Sequence, residues 1–460
     1  MGHNSISLPS VFGVPPRTTK PPRVAVLADS DTRWKWGALT ADRIVPGPTT
    51  ETAPAQGPRA ASVLDGFLLR GRSTPTPRQL AEVGVRADSL REVTAVEFLH
   101  TMAREPYDVL VLALVGGGVQ AMLHGLKRVW EDRPARPVVV TGYVGVVYEK
   151  LADGLLLRHG ADLVLANSRQ DAERFRAVYD GVGADSSAVT EVALPFLGGT
   201  PYTGGHDPCT VVFAAQPSVP DNRKDRAYLL DRLVRHARLH PEREVLLKLR
   251  SKPGEHTTHI EELPYQKLAQ RLDLPPNLRL VYGHMGEVLD RTDLLVTVSS
   301  TAALESLHRR IPTAVLTDLG VREVLGNHHF VGSGCLASWD QLDAGHRPEP
   351  DGEWVARQGV RADGSYRTAF DAARERIAGL LAGAALPPLT PYYTPATAPG
   401  YLPGILARHH LGPDGTPLPG APAHDREPGP VRQIVRRAAR GAYRHGVQRV
   451  APVIRRMGEL

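Results

Sequence analysis

Residues 295–316 read LVTVSSTAALESLHRRIPTAVL. An apolar run leads into Ser299, Ser300 and Thr301, a helical run follows, and a second apolar run begins near Ile311. A strand, a helix and a strand in succession predict a βαβ unit, in which the two strands are parallel. The three hydroxyl residues therefore fall where a buried strand ends and a helix begins.

The same alternation of apolar strands and helical runs covers most of the 460 residues and falls into two series. The first series predicts strands at 23–29, 65–71, 91–97, 108–115, 137–143, 162–168 and 189–195. The second predicts strands at 209–216, 244–250, 277–283, 293–300 and 312–318. The strands are apolar on both faces, as in covered parallel sheets, so we predict an α/β fold of two doubly wound, Rossmann-like domains with a cleft between them.

Domain boundaries follow from changes in composition. The N-terminal domain is predicted at 23–197 and the C-terminal domain at 209–385, joined by a Gly/Pro-rich linker at 198–208. The Pro-rich stretches at 1–22 and 386–430 are expected to be disordered or extended.

The last 30 residues, 431–460, form a basic amphipathic tail with eight arginines and one acid, Glu459. Such a pattern favours docking on an anionic membrane surface, although a solvated tail or a helix packed against the enzyme would have the same composition. Because no recognised nucleic-acid module accompanies the tail, a nucleic-acid partner is not expected.

Composition excludes several classes of protein. Two cysteines, Cys209 and Cys335, cannot form a disulfide scaffold and fit a reducing cytoplasm. The chain contains no CxxC or HExxH motif, so no dedicated metal site is expected. Neither a long apolar span nor a secretory signal is present, so we expect a cytoplasmic protein, bound peripherally to the membrane if the tail docks there.

The hydroxyl cluster suits an anion. A helix that begins at the carboxyl end of a parallel strand presents backbone N–H groups to the ligand crevice, and hydroxyls there can bind phosphate oxygens. Glu305 lies about one turn inside the helix, where its carboxylate could accept hydrogen bonds from sugar hydroxyls. Alternatively, the hydroxyls only cap the helix and Glu305 is solvated.

Neighbouring strand ends strengthen the phosphate interpretation. Lys248, Arg250 and Lys252 alternate along the stretch that ends the strand at 244–250, so they would point to one side if the strand continues. Gln216 and His284 follow two further strands at the same edge of the sheet. Converging cations at strand ends are typical of a phosphate site.

The stretch SSTAALESLHRRIPTAVL (299–316) resembles the S-S/T-x-x-x-x-E-A-L-x-x-x-x-P signature of two-domain GT-B glycosyltransferases. It is most similar to that of the bacterial capsular polysaccharide transferases of the Kdo and sialic acid type. The whole chain resembles an actinobacterial family described as glycosyltransferases. The resemblance implies that Ser299, Ser300 and Thr301 hold the phosphate of a nucleotide-sugar donor and that Glu305 helps to hold the nucleotide. No metal or separate cofactor is then needed.

Capsular transferases usually carry a His-Pro pair before the hydroxyl motif, whereas this chain has Arg250 in the stretch KLRSKPGE. Both CMP-sugars and nucleoside diphosphate sugars therefore stay open as donors. The acceptor suggested by the basic tail is an envelope glycan or a lipid-linked glycan. Alternatives are a CDP-polyol phosphotransferase, a sugar-nucleotide epimerase of the same fold, and a non-catalytic scaffold at the envelope.

In this architecture the first domain is expected to bind the acceptor and to supply the catalytic base. Asp31 and Glu149 are the candidate bases, because each follows a predicted strand. The stretch DTRWKWG is predicted as a loop that stacks the acceptor sugar, unless its tryptophans are packed beneath it. The predicted acceptor-binding residues are Arg33, Trp34, Lys35, Trp36, Gly117 and Tyr143, and further possible bases are His159, His284, His328 and His329.

Overall fold

Two parallel β-sheets, one from each half of the chain, organise the protein. The computed structural model describes residues 21–45, 62–71, 73–146, 150–252, 255, 263–360, 365–383 and 385–419. The basic tail at 431–460 and most of the predicted N-terminal tail lie outside these residues. Among the described residues, no helix has the length and hydropathy needed to span a lipid bilayer.

The first sheet has seven parallel strands, which are β1 (Arg23–Ala28), β2 (Val63–Leu69), β3 (Ser89–Val93), β4 (Val109–Ala113), β5 (Val138–Gly142), β6 (Leu163–Ala166) and β7 (Val189–Glu191). Their spatial order is β3-β2-β1-β4-β5-β6-β7. The helices of this half are α1 (Asp31–Ile44), α2 (Pro77–Val83), α3 (Ala95–Arg104), α4 (Gly116–Val129), α5 (Leu151–Leu156) and α6 (Arg169–Gly181). Apolar side chains fill both faces of the sheet, as the continuous apolar strands require.

The second sheet has six parallel strands, which are β8 (Thr210–Ala214), β9 (Glu244–Lys248), β10 (Leu278–Val281), β11 (Leu294–Thr297), β12 (Thr313–Leu316) and β13 (Leu336–Ala337). Their spatial order is β10-β9-β8-β11-β12-β13. The helices that accompany it are α7 (Arg223–Leu239), α8 (Tyr265–Ala269), α9 (Met285–Leu289), α10 (Ala302–His308), α11 (Trp339–Asp343) and α12 (Gly352–Arg357). The predicted fold class, two Rossmann-like domains in the GT-B arrangement, is confirmed by this topology.

Two local assignments made from the sequence were wrong. The predicted strand at 91–97 ends at Val93, because Thr94 caps α3: its hydroxyl accepts from the N–H of Glu97, whose carboxylate accepts from the N–H of Thr94. The predicted loop DTRWKWG is the start of α1, which Ser30 caps by accepting from the N–H of Arg33 at 3.4 Å.

The C-terminal part of the chain returns to the first domain. Helix α13 (Asp371–Ala382) packs on α1 and β7, and Arg374 donates to the carbonyl of Arg43 at 2.7 Å. Helix α14 (Leu402–Ala407) packs on α4, and Leu389, Leu402, Ile405 and Leu406 are buried in the core beside it. Residues 371–382 thus belong by packing to the first domain, within a range that the sequence assigned to the second. Residues 386–401 contain no helix or strand, as an extended Pro-rich segment would, but the segment 386–419 packs on the first domain, which its composition did not predict.

Contacts between the domains bring the carboxyl edges of the two sheets together. Three residues of α10, Ala303, Leu304 and Leu307, join the apolar cluster of the first domain. Charged side chains also pair across the boundary, including Asp31 with Arg250 and Arg78 with Glu255. The space between the two edges is called the interdomain cleft below.

Candidate active site

Each sheet reverses its strand order once, between β1 and β4 in the first and between β8 and β11 in the second. Ligands of open α/β sheets bind beyond the carboxyl ends of strands at such a position. Lys248, Ala214 and Thr297 are in register at the carboxyl edge of the second sheet. The residues that follow them therefore line the predicted position.

Ser299 and Gln216 hold the ends of β11 and β8 together. The side-chain oxygen of Gln216 accepts from the N–H of Ser299 at 3.0 Å, and the Ser299 hydroxyl donates to the carbonyl of Leu325 at 2.6 Å. Ser299 is buried. Both side chains are thus engaged within the second domain, where they fix the loop that carries the next two hydroxyls.

Ser300 and Thr301 are half-buried and differ in their roles. The Ser300 hydroxyl accepts from the N–H of Ala302 at 3.2 Å, whereas Thr301 makes no side-chain capping bond. A methyl group at Gly145 would lie 3.2 Å from the Thr301 hydroxyl oxygen. Thr301 therefore faces the loop that follows β5 of the first domain, and Asn167 holds that loop by donating to the carbonyls of Tyr143 and Gly145.

Lys248 ends β9 as a buried cation whose ammonium donates to the carbonyl of Leu249 at 2.8 Å. Burial is the main reason that the pKa of Lys248 falls to about 8, and the nearby charges of Arg250 and Lys35 lower it further. The carboxylates of Glu82 and Glu305 act in the opposite direction. The charges that act on Lys248 thus come from both domains: Lys35 and Glu82 belong to the first, and Arg250 and Glu305 to the second.

Lys248, Arg250 and Lys252 do not point to one side as the alternation predicted, because β9 ends at Lys248. Arg250 turns to the first domain, where its guanidinium donates to the Asp31 carboxylate at 2.6 Å and contacts the Thr32 hydroxyl. Lys252 is exposed, with its ammonium 5.7 Å from the centre of the Tyr282 ring.

Lys35 reaches the second domain rather than an acceptor surface beside its own strand. Its ammonium lies 3.9 Å from the carboxylate of Glu305 and 4.8 Å from the centre of the Phe196 ring. His284 precedes α9 in the same region, and burial, followed by the charge of Lys35, lowers the pKa of its imidazole. A neutral His284 beside Lys35 and Glu305 adds hydrogen-bonding capacity to the interdomain cleft without adding charge.

The tryptophan platform predicted for the acceptor is wrong. Trp34 and Trp36 are 0% and 1% exposed, because α1 carries both into the core of the first domain. A methyl group at Gly66 would come within 2.6 Å of the Trp34 ring, and one at Gly142 within 2.9 Å of the Trp36 ring. The two glycines provide the space that these rings occupy.

Two other predicted acceptor residues also face away from the cleft. The Tyr143 ring lies under the Arg158 guanidinium, 3.9 Å from it, and packs against Phe175. Gly117 belongs to α4 rather than to a turn, and a methyl group on it would lie 3.7 Å from Ile405.

Arg33 and Asp29 lie beside the switch point of the first sheet. Arg33 donates to Asp29 at 2.9 Å, and the second oxygen of Asp29 accepts from the N–H of Val115 at 3.0 Å. Asp29 thus ties the carboxyl end of β1 to that of β4, and Arg33 pairs with it inside the first domain. Glu149, the second candidate base, lies outside the described residues.

Two of the four histidines proposed as bases are structural, and His328 is exposed. His159 packs against the rings of Tyr179 and Tyr392. His329 packs against Phe330 and Trp354, and burial lowers its pKa to about 4. A neutral, buried imidazole of this kind stabilises the core.

In the part of the chain that the structure describes, His236, His240 and Asp343 have metal-ligand spacing. His236 lies on α7, His240 follows the last residue of that helix, and Asp343 ends α11. Arg232 donates to the Asp343 carboxylate at 3.0 Å. Because this guanidinium already compensates the carboxylate charge, the group serves to join the two helices.

Sequence reasoning missed four contributors to the cleft: Thr32, Glu82, Phe196 and His409. Thr32 and Phe196 follow predicted strands and could have been found at the same edge. Glu82 lies on α2, and its charge opposes the fall in the pKa of Lys248. His409 comes from the returning C-terminal segment; burial lowers its pKa, and the Asp29 carboxylate raises it in part. No local pattern predicts that a histidine about 380 residues further along the chain lies near the end of β1.

The cleft is chemically suited to a small anion. The cations of Lys35, Lys248 and Arg250 come from both domains, and the carboxylates of Asp31 and Glu305 lie beside them. Removing water from such a site strengthens each charge interaction. A phosphate with sugar hydroxyls could bind the cations and donate to Glu305.

One of three comparisons with known proteins gives the family of this chain. A family model described as "Putative glycosyltransferase (DUF6716)" matches residues 24–380. No curated protein matches the chain. Among solved structures, the UDP co-structure of S. aureus MnaA is 12% identical, covering 78% of this chain and 95% of that chain at a TM-score of 0.47. The spinosyn rhamnosyltransferase SpnG is 14% identical, covering 77% and 96% at a TM-score of 0.40. Likeness at this level says nothing about the reaction.

Proposed function

The chain belongs to this glycosyltransferase family, and on that premise we propose that it moves a sugar from a nucleotide-activated donor to an acceptor hydroxyl. The donor binds at the carboxyl edge of the second sheet and the acceptor at that of the first. The observation that carries the proposal is the convergence of Lys35, Lys248 and Arg250 beside Glu305 at a topological switch point.

The donor phosphate is assigned to the cations, with Ser300 and Thr301 as hydroxyl ligands. Arg250 offers a forked contact, and Lys248 and Lys35 offer point charges. Glu305 is placed to accept hydrogen bonds from the hydroxyls of the nucleotide, since it lies one turn after Thr301 and is mostly buried. His284 lies beside them and is included in the donor site.

In the transfer step the acceptor oxygen forms a bond to the anomeric carbon of the donor sugar. The bond from that carbon to the donor phosphate breaks, and the nucleotide leaves with the electron pair. The acceptor hydroxyl gives its proton to a base, for which Asp31 is the candidate among the described residues because it lies at the carboxyl end of β1 and faces the donor site. The cations stabilise the charge that develops on the leaving phosphate.

The nucleotide is identified by a thermal-shift panel of CMP, CDP, UDP, GDP and dTDP with the wild-type protein. At least one should raise the melting temperature, by an amount that grows with the logarithm of its affinity. Lys248→Met should lose most of this shift, because it removes a buried cation from the site. Lys252→Met is the matched control, since Lys252 is exposed nearby, and should keep it. If no nucleotide stabilises the wild type, the donor site is refuted.

We further propose that transfer proceeds without a divalent metal, because three side-chain cations already face the leaving phosphate. Transfer rates should then be the same with excess EDTA and with added Mg²⁺. A loss of activity in EDTA that Mg²⁺ or Mn²⁺ restores would contradict this.

For the acceptor we propose an envelope or cell-surface glycan, free or lipid-linked, met at the inner face of the membrane. The support is the basic tail at 431–460, whose arginines suit an anionic lipid surface. The full-length protein should float with vesicles that contain phosphatidylglycerol, and the protein lacking 431–460 should not. Equal flotation of the two proteins would remove the membrane from the proposal.

A further inference from the structure

The guanidinium assigned to the donor phosphate is already occupied in this structure. The Nη2 atom of Arg250 donates to Oδ1 of Asp31 at 2.6 Å and contacts the hydroxyl of Thr32. Asp31 is 13% exposed and Arg250 29%, so the pair is only partly reached by water. The ion pair joins the first turn of α1 to the segment after β9, across the interdomain cleft.

A carboxylate and a phosphate compete for the same groups of an arginine, because both present paired oxygens to its N–H donors. Asp31 is also the candidate base, and its Oδ1 cannot take up an acceptor proton freely while it accepts from Arg250. We propose that Asp31 occupies the phosphate position of Arg250 in the free protein, and that the donor displaces it. Donor binding then frees the base, so the acceptor is deprotonated only when a donor is present.

This inference rests on the proposed function, since it needs a phosphate ligand at Arg250. It makes Asp31 an antagonist of donor binding and a requirement for transfer, and an ordinary ligand would not have these opposite effects. Asp31→Asn keeps the shape of the side chain and removes the charge that competes with phosphate.

The chain offers a matched control in Glu255. Glu255 pairs with Arg78 across the same two domains, and its carboxylate also accepts from the N–H of Lys252. Glu255→Gln therefore removes one negative charge and weakens one interdomain ion pair, but it leaves Arg250 and Asp31 untouched. An effect of net charge or of domain opening would appear equally in both variants.

The experiment measures the dissociation constant of the stabilising nucleotide by calorimetry in the wild type and in four variants. Asp31→Asn should bind roughly three- to thirtyfold more tightly than the wild type, because a partly buried charged competitor is removed. Glu255→Gln should stay within about twofold of the wild type. Arg250→Met should bind about tenfold more weakly, and adding Asp31→Asn to it should change affinity by less than about twofold, as a double-mutant cycle requires for a direct pair.

Transfer assays complete the test. Asp31→Asn should lower the rate about a hundredfold or more at saturating donor, although the donor binds more tightly. Equal or weaker nucleotide binding by Asp31→Asn would overturn the inference and leave the donor site standing. Equal tightening in Glu255→Gln would also overturn it. Absence of nucleotide binding by the wild type would instead overturn the proposed function, and the inference with it.

Discussion

At the scale of single residues, the burial of Lys248 has a consequence for pH. Its ammonium lies at the carboxyl edge of β9 with little access to water, and for this reason its pKa falls to about 8. A phosphate placed beside it would supply the opposite charge that the site lacks and would favour the protonated form. Proton uptake and donor binding are therefore linked.

Nucleotide affinity should accordingly depend on pH in the range 7.5–9.5, where the phosphate itself is fully ionised. Below the pKa of about 8 the lysine is already charged and affinity should be nearly constant. Above it each binding event must also take up a proton, so affinity should weaken by up to about tenfold per pH unit. Calorimetry across this range measures the effect, and Lys248→Met should show a flat profile. A flat wild-type profile would contradict the role of Lys248.

Trp36 gives a second prediction at this scale. Since its ring is buried in the core against Gly142, Trp36→Ala should lower the free energy of unfolding by about 3–5 kcal/mol. Urea unfolding of the full chain measures this. A loss below about 1 kcal/mol would mean that the ring is at the surface, as the sequence suggested.

At the scale of elements, the strands were the predictable part. Short, near-continuous apolar runs such as VLVLA at 109–113 are typical of covered strands, and their alternation with helices predicts the parallel topology. Helix α1 was missed because its charged and aromatic residues resemble a loop. The burial of Trp34 and Trp36 depends on space left by Gly66 and Gly142, which belong to other strands. Only the cap at Ser30 was visible locally.

The same limit applies to the site. The sequence placed Lys248, Ser300, Thr301 and Glu305 at one edge of the second sheet, because parallel strands end together. It could not predict that Lys35 meets Glu305, since this contact depends on how the two domains face each other. Sequence patterns predict which residues lie at the edge of one sheet, but not which residues of two different sheets meet.

The cap at Ser30 is itself testable. Its hydroxyl satisfies the N–H of Arg33 at the start of α1, so Ser30→Ala should cost about 1 kcal/mol of unfolding free energy, and Ser30→Gly only a few tenths. Urea unfolding distinguishes the two variants. If alanine is tolerated as well as glycine, the hydroxyl does not stabilise the helix end.

At the scale of the whole molecule, the first domain is completed by residues from the C-terminal part of the chain. The first sheet is covered by helices from both ends of the sequence, α1 near the start and α13 and α14 near the end. The Pro-rich composition of 386–419 resembles a linker, and only long-range packing of its few apolar residues identifies it as part of the core. Composition alone could not have shown this.

Truncation should show that the segment after residue 384 is needed for the stability of the first domain. A chain ending at residue 384 loses Leu389, Leu402, Ile405 and Leu406, which are buried side chains that each stabilise the fold by about 1.5–3 kcal/mol. Because the sum is comparable to the whole stability of a typical domain, this chain should be unfolded or aggregated. A chain ending at residue 419 should keep a cooperative melting transition. Equal melting temperatures of the two proteins, by circular dichroism, would contradict the packing.

The packing of the C-terminal segment on the first domain also determines the order in which the domains can fold during synthesis. The first sheet is synthesised long before residues 371–407. The surfaces of the nascent first domain that α13 and α14 cover therefore stay exposed while the second domain is synthesised. Its apolar surface is then available to chaperones or to neighbouring nascent chains. The first domain therefore cannot complete its fold before the second is synthesised, because α13 and α14, which pack on the first domain, are translated after the second sheet.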